Sequence, residues 1–273
     1  MRTAGHDLQV VLNSGVIQYD DYGPVYAPVL IFIHGFPFNK NLWQKQMDEL
    51  KSNYRVISYT IPFSISDVHV EQKQISELVR DLFQLIKVLQ IGKAALCGLS
   101  LGGLIALEAA RKGAGRFTAL ILVDTYCEAE HGEGTWWQRA LEKMEQAKDK
   151  FILAHVLKSV IGNRKRSRQK EIFDVNNQIQ SSINNILLAL EVLSLKDAIC
   201  GDLDDVSIPV LILVGEYDKK EHQEKARRLS ARLSRGQLQI IKFAGHLPNL
   251  DNTEEFNFRL SSFINKYARQ REL

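Results

Sequence analysis

Short apolar runs alternate along this chain with longer stretches in which apolar positions recur at three- and four-residue spacing. The short runs predict strands. LQVVLNSG and VIQYDDYG read as a hairpin turning near Asn13-Ser14-Gly15, followed by PVLIFIHGF, YRVISYT, KAALCG, FTALILVDT, PVLILVGE and LQIIKFAG. Several of these are continuously apolar, as expected of strands buried on both faces. The longer stretches predict helices at NLWQKQMDELKSN, at ISELVRDLFQLIKVLQIG, from Ser100 to about Lys112, from Glu221 to Leu233, and from Thr253 to about Tyr267. In the second of these, Ile75, Leu78, Val79, Leu82, Leu85, Ile86 and Leu89 fall on one helical face, and Gly92 ends it.

Such alternation predicts an α/β fold: a mostly parallel central sheet of about eight strands with helices on both faces. The rhythm breaks once, between about Cys127 and Leu203, where helical patterns occur without a convincing strand. This divides the chain into a core formed by residues 1–127 and 204–273 and a helical cap at 128–203. A cap inserted after the sixth strand would sit over the carboxyl ends of the strands, where open α/β sheets bind ligands.

Composition narrows the class. The 273 residues are 45% apolar and 25% charged, the balance of a globular protein large enough for a sizeable core. A formal charge of +3 on a chain of this size argues for no polyanionic partner. The basic cluster Arg164 to Lys170 lacks aromatic interleaving and a helix-turn-helix pattern, and reads as a solvated face rather than a nucleic-acid site. No stretch reaches the ~20 apolar residues of a membrane span, and the amino terminus has no apolar signal core. The expectation is a cytoplasmic protein whose three cysteines, Cys97, Cys127 and Cys200, are reduced thiols. No metal-ligand spacing and no phosphate-cradling glycine motif is present, so neither a metal nor a cofactor is expected. Oligomeric state is not legible.

The chemistry begins at Gly98-Leu99-Ser100-Leu101-Gly102. The five-residue string alone is weak evidence, because it arises by chance, and its context decides. It lies between a predicted strand and a predicted helix, where a nucleophile elbow belongs. Small residues two before and two after the serine, Gly98 and Gly102, allow the sharp turn. The helix that follows offers free N–H groups to developing negative charge, and that of Leu101 is one oxyanion donor. A serine needs a base, and the base needs an orienting acid. His246 in FAGHLPNLD and Asp218 in LVGEYDKKE each follow a predicted strand, on the sheet edge that carries Ser100, in the chain order Ser, Asp, His. Asp124, at the end of the sixth predicted strand, is the alternative acid. In FIHGFPFNKNLW, the loop after the third strand, His34 and Gly35 shape the turn and the Phe36 N–H is the second oxyanion donor. Trp136-Trp137 either line an apolar acyl pocket or pack within the cap.

On these residues the chain resembles the α/β-hydrolase superfamily, in its branch of small capped hydrolases with HGFP-type oxyanion loops. That branch includes carboxylesterases and 3-oxoadipate enol-lactonase-like proteins. The resemblance covers nearly the whole chain and implies a triad of Ser100, Asp218 and His246 with oxyanion donors Phe36 and Leu101. It implies a small-molecule ester substrate, with a lactone as the alternative. One segment departs: YTIPFSISD has Thr60 in place of the usual aspartate, and Phe63 and Ile65 where glycines are common. That departure keeps a third reading open, a non-catalytic ligand-binding or interaction protein on a hydrolase scaffold.

Overall fold

The structure, a computed structural model, describes residues 5–36, 38–62, 75–113, 115–127 and 203–268. Its eight strands are β1 (Gly5–Leu12), β2 (Gly15–Tyr22), β3 (Val29–Ile33), β4 (Arg55–Tyr59), β5 (Ala94–Leu99), β6 (Phe117–Val123), β7 (Val210–Gly215) and β8 (Gly236–Ile241). They form one sheet in the order β1-β2-β4-β3-β5-β6-β7-β8. The pairs from β4 through β8 are parallel, and β2 runs antiparallel to both β1 and β4. Each strand foreseen in the pattern is present. β8 stops at Ile241 rather than running to Gly245, because the chain turns at Phe243, which adopts φ 57°.

Helices α1 (Gln44–Leu50), α2 (Ile75–Val88), α3 (Leu101–Lys112), α4 (Lys220–Arg232) and α5 (Thr253–Ala268) cover the sheet. A single 3-10 turn, Lys40–Trp43, leads into α1. Side-chain alternation along the strands sends neighbours to opposite faces and builds two apolar layers. Ile31, Ile33, Leu96, Leu120, Leu122 and Ile212 meet α2, α3 and α4 on one face. Leu30, Phe32, Cys97, Ile121, Val123 and Leu213 meet α1 and α5 on the other. In the second layer Trp43 stacks on Phe32 at 5.0 Å and lies 6.1 Å from Phe256 of α5, so the two core segments share one interior. β6 and β7 also pair directly, Leu120 to Val210 through Val123 to Leu213.

The expected cap, with Trp136, Trp137 and the basic cluster, lies outside the described residues, as do Phe63 and Ile65. Of the cysteines, Cys97 is free and buried in β5. Cys127 is disulfide-bonded, which corrects the expectation of three reduced thiols. Among the described residues no helix is long and apolar enough to cross a membrane.

At the antiparallel edge, one buried ion pair ties β4 to β2 and a second ties the segment after β3 to the sheet. Arg55 of β4 bonds both carboxylate oxygens of Asp21 in β2, at 3.1 and 2.8 Å. The Lys40 ammonium, 3% exposed, meets both oxygens of the fully buried Asp20 at 2.8 and 2.9 Å and Asp7 at 2.7 Å. The Lys40 carbonyl accepts the Ser58 hydroxyl at 3.0 Å. Thus the segment after β3 is pinned to β1, β2 and β4 together.

Candidate active site

Three parallel strands end at the same edge, and each delivers one group there. β5 delivers Ser100. Its backbone sits at φ 50° and ψ −115°, a conformation that side-chain-bearing residues rarely adopt and that costs on the order of 1–3 kcal/mol. The turn holds because its neighbours are small. A Cβ on Gly98 would overlap the Gly102 carbonyl, and one on Gly102 would overlap the carbonyls of Ile33 and His34. The Ser100 N–H donates to Val123 O at 2.9 Å, and the Thr125 hydroxyl lies 3.1 Å from the Ser100 carbonyl. α3 starts at the next residue, so the Leu101 N–H is at a helix N-terminus.

β7 delivers Asp218 and β8 delivers His246. Their loops are sewn together: Tyr217 N–H donates to Ala244 O at 2.7 Å, and Phe243 N–H to the Glu216 carboxylate at 2.9 Å. Asp251 accepts the Gly245 N–H at 2.9 Å, which fixes the approach to His246. His246 Nδ1 then lies 3.1 Å from Asp218 Oδ2. A carboxylate only accepts, so Nδ1 carries the proton and Nε2 is left as a bare acceptor. Among the described residues no hydrogen bond joins Ser100 Oγ to His246. Without substrate such a bond is commonly long.

The loop after β3 places Phe36, which is buried. Among the described residues neither the Phe36 nor the Leu101 N–H meets a backbone acceptor. His34 is fully buried, with Nδ1 2.9 Å from Gly35 O, and its Nε2 accepts the Ile61 N–H at 2.9 Å. Its ring therefore ties this loop to the end of β4. Burial lowers its pKa to about 4 despite the bond to Gly35. Gly35 packs against Leu99, with no room for a side chain beyond a slight adjustment. Thr60 faces the Lys40 N–H at 3.5 Å and donates its own N–H to Gln18 O at 2.9 Å.

Two further residues surround Asp218, of which His222 was not legible as a site residue in sequence. His222, buried on α4, places Nδ1 3.1 Å from both Asp218 oxygens. Its Nε2 lies 3.0 Å from the Tyr126 hydroxyl, and the two rings stack at 4.7 Å. The signal available was the i, i+4 spacing of Asp218 and His222 across a helix start. The second is Asp124, the alternative acid, which faces Asp218 rather than His246. Its Oδ1 takes the Gly215 N–H at 3.4 Å. Burial, then the Asp218 charge and the carboxyl–carboxyl hydrogen bond, raise Asp124 well above the ordinary carboxylate range. As a neutral acid it can donate to Asp218. Burial pushes Asp218 upward as well, but the N–H bonds from His222 and His246, with the charges of those rings, hold it below the ordinary range.

Asp218, His222 and His246 offer donor atoms within 4.8 Å of one another, the span of a metal site. Both imidazoles are already N–H donors to the carboxylate, so an ion would have to displace two protons. His6, Asp7 and Asp20 make a similar group, but the Lys40 ammonium already provides its cation.

Residues 30–257 match the model of the alpha/beta hydrolase family. The chain is 27% identical over 271 residues to 3-oxoadipate enol-lactonase 1 of Acinetobacter baylyi, covering 95% of this chain and 97% of that one. Among solved structures it is similar to a thermophilic esterase from Thermogutta terrifontis, with TM-score 0.74, 25% identity and coverage of 95% and 98%. It also superimposes on a hydrolase from Pseudomonas aeruginosa with TM-score 0.81 at 19% identity, covering 96% and 99%, a likeness of fold.

Proposed function

The chain belongs to the alpha/beta hydrolase family, and on that premise we propose that it is a serine hydrolase cleaving a carboxylic ester through an acyl-enzyme. The observation that carries this reading is the Asp218–His246 hydrogen bond on the strand edge where Ser100 is held in a strained turn. In the proposed reaction His246 Nε2 takes the proton of Ser100 Oγ as the oxygen attacks the carbonyl. The Asp218 carboxylate keeps the imidazole in the required tautomer and stabilises the imidazolium. The N–H groups of Phe36 and Leu101 receive the oxyanion, each worth ~3 kcal/mol in the transition state. His246 returns the proton to the leaving alcohol, then activates a water that releases the acid. In this reading residues 128–203 form the cap that selects the substrate, a small or medium and mainly apolar acyl or alkyl group.

The same groups would open a lactone, since the ester bond is the same and only the leaving alcohol stays attached. The 27% identity to an enol-lactonase supports that second reading, and the esterase of 25% identity supports the first.

The test is intact-mass analysis after brief exposure to a fluorophosphonate, beside Ser100→Ala. One adduct per chain, absent in the variant, is expected, and a panel of esters and lactones then separates the two readings. Folded protein that takes no adduct would instead favour the non-catalytic scaffold.

A further inference from the structure

We infer that His222 is a positioning residue that, with Tyr126, sets the plane of the Asp218 carboxylate on which His246 depends. The inference rests on the hydrolase reading above.

An aspartate side chain has two free torsions, and a single bond from His246 would leave the carboxylate able to rotate about the second. His222 removes that freedom, because its Nδ1 stands 3.1 Å from both oxygens at once. The Lys219 N–H adds a bond to Oδ1 at 2.8 Å, which leaves Oδ2 directed at His246. The histidine is itself held from its far side by the Tyr126 hydroxyl at 3.0 Å and by the stacked Tyr126 ring.

The protons follow from the acceptors. Asp218 is an acceptor only, so a neutral His222 carries its proton on Nδ1, and Nε2 must accept; the Tyr126 O–H supplies that donor. The arm thus runs Tyr126 to His222 to Asp218 to His246, joining the chain after β6, the first turn of α4 and the loop after β8. Through its Nδ1–H, His222 holds the Asp218 carboxylate in place for the imidazolium that forms on His246.

The arm separates from general packing by comparing His222→Asn, which retains an N–H donor near the Nδ1 position, with His222→Ala, which does not. With 4-nitrophenyl acetate, His222→Ala is expected to lower kcat roughly ten- to a hundredfold with little change in KM. His222→Asn should recover most of that loss, and Tyr126→Phe should fall between them. All three should still take one fluorophosphonate per chain, more slowly. Wild-type turnover in His222→Ala, or His222→Asn as slow as His222→Ala, would overturn the inference.

A second readout needs no turnover: the downfield His246 Nδ1 proton in the NMR spectrum. It should be sharp in the wild type, exchange-broadened in His222→Ala and restored in His222→Asn. Persistence in His222→Ala overturns the inference. Should the wild type take no fluorophosphonate, the hydrolase reading fails and this proton alone decides the positioning role. Should His222→Ala not fold, the comparison of Tyr126→Phe with wild type decides in its place, unchanged kcat and an unchanged proton signal overturning the inference.

Discussion

Asp124 and Asp218 stand side by side at the end of β6 and β7, yet only Asp218 bonds a histidine of the proposed triad. A neutral carboxylic acid has nearly the shape and donor capacity of an amide. Asp124→Asn should therefore keep most of the activity, whereas Asp218→Asn should lose on the order of ten-thousandfold. Stability adds an independent sign. The folded Asp124 pKa is raised above the unfolded one, so the stability tied to its protonated form is present at low pH and is lost as pH rises. Asp124→Asn removes that loss, and its melting temperature at pH 7 should be higher than that of wild type. A large loss of activity in Asp124→Asn would mean that Asp124 works as an anion.

His34 gives the opposite pH sign. Its folded pKa is lowered from 6.5 to about 4, so between these values the unfolded chain binds a proton that the folded chain refuses. Stability is unaffected by this group above pH 6.5 and falls as pH drops toward 4, by about 3 kcal/mol in all. Urea unfolding at several pH values in that window should show the slope, and His34→Gln should flatten it while lowering stability throughout.

At the scale of elements, the loop bearing Phe36 is tied from both sides. His34 joins it to Ile61 beyond β4, and Lys40 joins its far end to Asp20 in β2. Breaking a buried pair costs more than the pair contributes, because the remaining charge has no partner. Lys40→Met leaves Asp20 buried among Asp7 and His6, and should cost about 3–5 kcal/mol in urea unfolding. The double variant Lys40→Met with Asp20→Leu should recover a large part of this. If the single variant lost less than 1 kcal/mol, the pair would be doing no more than an exposed one.

The elements themselves are readable in the sequence, for a plain reason. Of the seven residues that spacing alone places on one face, Ile75, Leu78, Val79, Leu82, Leu85 and Ile86 are buried there, while Leu89 lies just past the helix end and is half-buried. Period and burial are linked locally, so sequence suffices. The end of β8 was not readable, because Phe243 and Ala244 continue the apolar pattern through a turn whose backbone is held by the Glu216 and Asp251 carboxylates. Lys40 and Asp20 were missed for a related reason. Nothing in a lone lysine or aspartate announces a partner twenty positions away.

For the whole molecule, β6 and β7 are neighbours although residues 128–203 separate the two core segments in the chain. Trp43 and Phe256, one from each segment, lie in a single apolar layer. Residues 5–127 and 203–268 should accordingly unfold together. Hydrogen exchange at increasing urea should bring amides of β5, β6 and β7 to one common opening free energy. Separate opening of β7 would show the second segment to be an independent unit.

The sequence by itself determined the strand and helix alternation, the strained corner at Ser100 and the order Ser100, Asp218, His246, because each depends on neighbours in the chain or on the end of a recognisable strand. Tertiary structure alone decided the partners: that Asp218 rather than Asp124 bonds His246, that burial beside Asp218 pushes the Asp124 carboxyl upward, that His222 and Tyr126 complete the cluster, and that Lys40 anchors the loop of Phe36. Which of two carboxyls keeps its charge is set by burial and by the groups that fold against it, and those meet only when distant strands come to lie in one sheet.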